Sequence, residues 1–173
     1  MQKIVTFSFD DGVTQDRKLI SLLKKYGLKC TFILNSKLLG SKGALSKIAP
    51  DDVKEVYAGF EVASHTCTHP LLTQCSPARI AEEVIGDYLW LSELVGYPVR
   101  GFAYPGGRPN CDRLVTEVLR VCTSLVYART NISTYELSFP RDLLQWDPTL
   151  HILDPRTDEL IDRFDVAKED CLL

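Results

Sequence analysis

Two hydrophobic rhythms alternate along the chain. Short, nearly continuous apolar runs with β-branched and aromatic residues occupy residues 3–9, 29–34, 60–63, 101–104 and 125–127, and each reads as a buried strand. Between them, apolar residues recur every three or four positions, the spacing of a helix that buries one face. Residues 14–26 read as a helix with Leu19, Leu22, Leu23 and Tyr26 on the inner face, Thr14 as its cap and Gly27 as its stop. Residues 51–57 follow Pro50 as a short helix, and residues 77–95 form the longest one, with Ile80, Val84, Tyr88, Leu91 and Val95 in register before Gly96. Residues 111–121 and 158–164 read as two further helices. Strand followed by helix, repeated, predicts an α/β fold on a parallel sheet or barrel. Residues 36–49, with Gly40, Gly43 and several Ser and Lys, are the loosest connection and a candidate mobile loop.

Composition narrows this picture. A chain of 173 residues, 45% hydrophobic, fits one ordinary domain with a core of its own. The net charge of −3 is spread over both signs, without the basic patch that nucleic-acid binding requires. No apolar run approaches the roughly 18 residues of a membrane span. Met1-Gln2-Lys3 runs straight into the first strand without a cleavage-site pattern, so the expected location is cytoplasmic. The six cysteines, Cys30, Cys67, Cys75, Cys111, Cys122 and Cys171, form no CxxC pair and are expected as reduced thiols.

The chemistry lies at the strand ends. In open α/β sheets and barrels, sites form where the strands finish. Asp10-Asp11 follow the first strand, Ser64-His65 the third and Tyr104-Pro105-Gly106-Gly107 the fourth. Alone, Asp10-Asp11-Gly12 fits an Asp-Gly turn, and His65 and His69 fit two surface histidines. Together at one sheet edge they favour a shared cation, because two imidazoles and a carboxylate make an open metal site. Side chains diverge at successive strand positions, so one aspartate can bind the ion while the other accepts a proton from water. That division of labour is hydrolytic.

These motifs resemble those of the polysaccharide deacetylases, the NodB-homology or carbohydrate esterase family 4 group. The first, T-F-D-D-G, reads here Ser8-Phe9-Asp10-Asp11-Gly12, and the second, H-[ST]-x-x-H, reads His65-Thr66-Cys67-Thr68-His69. A variant of the third is Phe102-Ala103-Tyr104-Pro105-Gly106-Gly107. The resemblance implies a distorted (β/α) barrel with fewer than eight repeats, spanning residues 1–173 as a single domain. It implies Asp10 as general base and Asp11, His65 and His69 as ligands of a divalent metal, usually zinc. It places an oxyanion-stabilising N–H at Gly106, with Tyr104 and Pro105 shaping the pocket.

Two positions depart from the family pattern. Ala103 stands where an arginine orients the base, and Arg100 is the arginine near it in sequence. The family's late L-x-H motif has one candidate, His151 in Thr149-Leu150-His151, as acid to the leaving amine, with Trp146 as a pocket wall. Members usually continue further, so the expectation is a C-terminally short form. The resemblance implies a metal-dependent hydrolase of non-peptide C–N bonds that deacetylates N-acetylated sugars or oligosaccharides. The alternatives are a hydrolase of another linear or cyclic amide, and a shortened fold that holds metal and ligand without turnover.

Overall fold

The computed structural model of the protein describes residues 2–173. The first apolar run does not form the single strand expected over residues 3–9. Its start, β1 (Lys3–Ile4), pairs in parallel with a strand near the far end of the chain, and its end, β2 (Ser8–Asp10), joins a five-stranded sheet. The two halves satisfy different neighbours. Thr6 N–H donates to the Leu173 carbonyl at 2.8 Å, whereas the Phe7 carbonyl accepts from Thr31 N–H at 2.9 Å. The remaining elements are α1 (Asp16–Tyr26), β3 (Thr31–Leu34), α2 (Val53–Val56), β4 (Glu61–Ser64), α3 (Pro77–Val95), β5 (Gly101–Ala103), α4 (Arg113–Cys122), β6 (Tyr127–Arg129), α5 (Thr157–Val166) and β7 (Cys171–Leu172). The sheet order is β2-β3-β4-β5-β6, parallel throughout.

Local chemistry sets most boundaries. The Ser76 hydroxyl caps α3 by accepting from Arg79 N–H, Pro77 opens the helix, and Gly96 ends it at φ 83°. The Asp112 carboxylate caps α4 by accepting from Val115 N–H at 2.9 Å, so that helix begins after residue 111. Thr14 does not cap α1; Gln15 precedes the helix without a side-chain cap, and the buried face is Asp16, Ile20 and Leu23. Leu22 and Tyr26 of the expected face are exposed. The segment 51–57 divides into a 3-10 turn, Pro50–Asp52, and α2.

The sheet curls so that its two faces differ. Phe32, Val62, Phe102 and Ala128 face the helices and join the main core with Ile80, Leu91, Val115 and Leu119. The alternate positions point to the concave side. There Ile33, Ala63 and Ala103 form a separate buried layer, 1%, 0% and 0% exposed. On one side of it, Glu61 accepts from Thr31 Oγ1 at 2.6 Å and from Tyr127 Oη at 3.0 Å. Gly101 lies beneath the Tyr127 ring, where a Cβ would stand 2.3 Å from the hydroxyl. On the other side lie the C-terminal strand ends.

Backbone pairing also returns from β6 to β1 through irregular chain. Trp146 N–H donates to Ala128 O and Thr130 N–H to Trp146 O; Tyr135 N–H then donates to Thr149 O, Leu172 N–H to Leu137 O and Leu173 N–H to Ile4 O, all at 2.9–3.0 Å. The result is a distorted (β/α) barrel with fewer than eight repeats. The connection 36–49 is pinned over the first turn, since Thr14 N–H donates to Ser46 O and Ile48 N–H to Gly12 O. Among the described residues no helix is long and apolar enough to cross a membrane.

Candidate active site

Asp10 ends β2 on the concave side, level with Ile33 of β3. The chain then turns sharply: Asp11 sits at φ 81° and Gly12 at φ 60°, both left-handed. Glycine is required at the second position, because a Cβ on Gly12 would come within 2.8 Å of the Leu34 side chain. Across the turn, Lys47 Nζ stands 3.4 Å from Asp11 Oδ1.

His65 follows β4 and is 3% exposed. Its Nδ1 donates to the Ala103 carbonyl at 2.8 Å, which fixes the ring and leaves Nε2 free as a ligand. Burial lowers the His65 pKa, opposed by the nearby Asp10 carboxylate, and so favours the neutral imidazole that binds metal. The segment 65–69 is a turn with Thr66 at φ 69° and His69 at φ 61°. The His65 and His69 rings meet edge to face, 4.8 Å apart, through that turn and not along a helix face. Ligand atoms of Asp11, His65 and His69 all lie within 4.8 Å of one another. Donors about 2.0–2.2 Å from one ion stand within roughly 4.4 Å of each other, so small side-chain rotations let these three share a cation. Two imidazoles and one carboxylate, with one ring already oriented, fit a divalent metal.

Asp10 has a partner that sequence reasoning did not find. Arg129, the last residue of β6, donates from Nη2 to Asp10 Oδ1 at 2.5 Å. Burial pushes the Asp10 carboxyl up, but the Arg129 guanidinium, through its charge and its hydrogen bond, opposes this together with whatever positive charge the imidazoles carry, and the group lies below the usual carboxylate range. Arg100 lies before β5, at the other end of the sheet, and is exposed. β6 starts and ends two residues later than residues 125–127, and that shift carries Arg129 to the strand end. The alternation of Tyr127 and Arg129 about the core residue Ala128 is the signal that exposes it.

The remaining expected residues are distributed around this centre. Pro105 is buried, and the Gly106 carbonyl accepts from Asn131 Nδ2 at 2.9 Å. The Tyr104 ring packs in the main core beside Phe102, and its hydroxyl donates to Leu144 O at 2.6 Å. Trp146 pairs with Arg129 through the backbone and meets the Tyr127 ring at 5.9 Å. His151 lies five residues further along and is exposed; its Nδ1 accepts from Leu153 N–H at 3.2 Å. Behind the histidine segment, two buried carboxylates of α3, Glu83 and Asp87, accept hydrogen bonds from Thr68, Ser64 and His65.

The polysaccharide deacetylase family model matches residues 1–122, a span that includes Asp10, Asp11, His65 and His69 and stops short of Arg129, Trp146 and His151. The chain is 30% identical over 115 residues to YxkH of Bacillus subtilis, covering 65% of this chain and 40% of that protein. It is 32% identical over 85 residues to the chitooligosaccharide deacetylase of a Bradyrhizobium strain, covering 47% of this chain and 35% of that protein. The chain therefore spans well under half the length of these curated relatives. Among solved structures, the Streptococcus pyogenes deacetylase PplD in complex with acetate shares the fold, with a TM-score of 0.79 and 23% identity over 95% of this chain and 71% of that one.

Proposed function

The chain belongs to the polysaccharide deacetylase family, and from that premise we propose that it is a zinc-dependent hydrolase that removes acetyl groups from N-acetylated sugars or short oligosaccharides. The observation that carries this reading is the Asp10–Arg129 ion pair standing beside the Asp11, His65 and His69 cluster. A metal held by that cluster would supply positive charge to polarise an amide carbonyl and acidify water. The chain's own residues do the rest. Arg129 keeps Asp10 ionised, so its carboxylate can take a proton from the attacking water. The Ala103 carbonyl holds His65 in one tautomer. The backbone N–H of Gly106 is the donor we assign to the developing oxyanion. His151 is the group we assign to protonate the departing amine; its chain leaves the C-terminal edge of the sheet directly after Trp146 pairs with β6. A soluble acetylated oligosaccharide is the substrate we favour.

The test is acetate release from N-acetylchitooligosaccharides by zinc-loaded protein, before and after chelation and after zinc is restored. Activity that follows the metal supports the reading. Bound zinc without hydrolysis of these sugars, or of a panel of linear and cyclic amides, overturns it. His151→Ala is expected to lower kcat about 10²–10⁴-fold with zinc content unchanged, the usual contribution of a general acid; full activity would remove His151 from the mechanism.

A further inference from the structure

Glu83 and Asp87 are one turn apart on α3, 1% and 0% exposed. Burying two carboxylates so close together is costly unless their oxygens are satisfied. Their acceptor atoms are used almost wholly on the chain that carries the histidines. Asp87 Oδ2 accepts from Ser64 Oγ at 2.6 Å and from His65 N–H at 3.1 Å, while Oδ1 accepts from Ser36 N–H at 2.6 Å. Glu83 Oε2 accepts from Thr68 N–H at 2.8 Å and Oε1 from Thr68 Oγ1 at 2.6 Å. The Glu83 carbonyl accepts from Cys67 N–H at 3.1 Å. Arg79, half exposed, pairs with Glu83 from outside.

The segment needs such a grip. Thr66 and His69 both adopt left-handed backbone, which costs a non-glycine residue on the order of 1 kcal/mol or more and persists only where its surroundings impose it. The local bond from His69 N–H to Thr66 Oγ1, at 3.0 Å, is the segment's own contribution. From the helix side, the two carboxylates supply four of the hydrogen bonds to residues 64–68, beside the Glu83 carbonyl on Cys67 N–H and a longer contact from Arg79 to the Thr68 hydroxyl. We propose that Glu83 and Asp87 are positioning residues, which hold the backbone of residues 64–68 so that His65 and His69 meet one metal ion. This rests on the metal site described above. The bland alternative is that they only anchor α3 to the sheet, which would make them matter for stability and not for the ligands.

Metal affinity separates the two. Zinc binding to the full chain is measured by competition with a chromophoric chelator, and the ligand field is read from the visible spectrum of the cobalt(II)-substituted protein. Glu83→Gln keeps the shape but places an N–H where Thr68 also donates. The expected result is zinc affinity weakened about 10–100-fold and an altered cobalt spectrum, as for other groups that orient metal ligands. Thr68→Val, at an exposed position, removes the hydroxyl bond to Glu83 and the longer contact from Arg79, keeps the Thr68 N–H bond, and is expected to weaken zinc several-fold, up to about tenfold, while folding normally. Unchanged zinc affinity and cobalt spectrum in Thr68→Val, or in a folded Glu83→Gln, overturns the proposal. Absence of zinc binding by the unaltered chain would instead overturn the metal site, and this inference with it.

Discussion

Asp16 offers a direct measurement of what a buried charge costs this fold. It is the first residue of α1, 3% exposed, with its Oδ2 accepting from Tyr57 Oη at 2.7 Å. Burial pushes its pKa up to about 6 from 3.8, against the opposing pull of the Tyr57 hydrogen bond and the Lys47 charge. A carboxyl whose pKa is raised on folding stabilises the folded state below the unfolded pKa, and that contribution is lost as pH rises through the folded pKa. Asp16 therefore begins to destabilise above pH 3.8, and its full cost is present above pH 6. A shift of about two units corresponds to about 3 kcal/mol. Losing a negative charge in the first turn of a helix takes back about 0.5 kcal/mol. Asp16→Asn, which imitates the protonated acid and can still accept from Tyr57, should then gain about 2.5 kcal/mol at pH 8. For a chain of this size that raises Tm by roughly 5–10 °C. Thermal unfolding of both proteins between pH 4 and pH 8 checks this: the advantage should be largest at pH 8 and shrink towards zero near pH 4. A difference independent of pH, or a variant less stable at pH 8, would refute the reasoning.

Arg129→Met should lower kcat for acetate release by about 10²–10⁴-fold while the bound zinc per chain stays unchanged, because Arg129 touches Asp10 and not the ligand cluster. Loss of zinc together with activity would show that the arginine serves the metal instead. Gly101→Ala places a methyl 2.3 Å from Tyr127 Oη and forces the ring off Glu61. The expected cost is about 1–3 kcal/mol, visible as a fall of roughly 2–12 °C in Tm, and an unchanged Tm would mean that Tyr127 relocates freely.

Periodicity revealed most of the scaffold. α3 runs over the predicted residues because its start, its apolar stripe and its stop are all local. The metal ligands were legible for a related reason: both motifs are short, and each follows its strand directly. What escaped depends on partners distant in sequence. The division of the first strand reflects pairing with β7, a two-residue element whose composition gives no strand signal. Arg129 escaped because a strand of three residues can shift by two without disturbing any local pattern. Glu83 and Asp87 are polar positions on a helix, which alone read as solvent-facing; only the histidine turn packed against them makes burial tolerable. Thr14 could cap a helix in principle, but the chain at residues 12–14 is already paired with residues 46–48.

The layer of Ile33, Ala63 and Ala103 has a consequence for traffic. Three small or close-packed side chains, at most 1% exposed, close the concave face level with Asp10 and just before His65. Side chains buried to this degree offer solvent no surface between the strand ends and the Glu61 and Tyr127 side of the sheet. For a substrate whose acetamide reaches down to Asp10, both products leave by the opening through which the substrate entered. Under the proposed deacetylation, acetate would form against that floor and share its way out with the amine fragment.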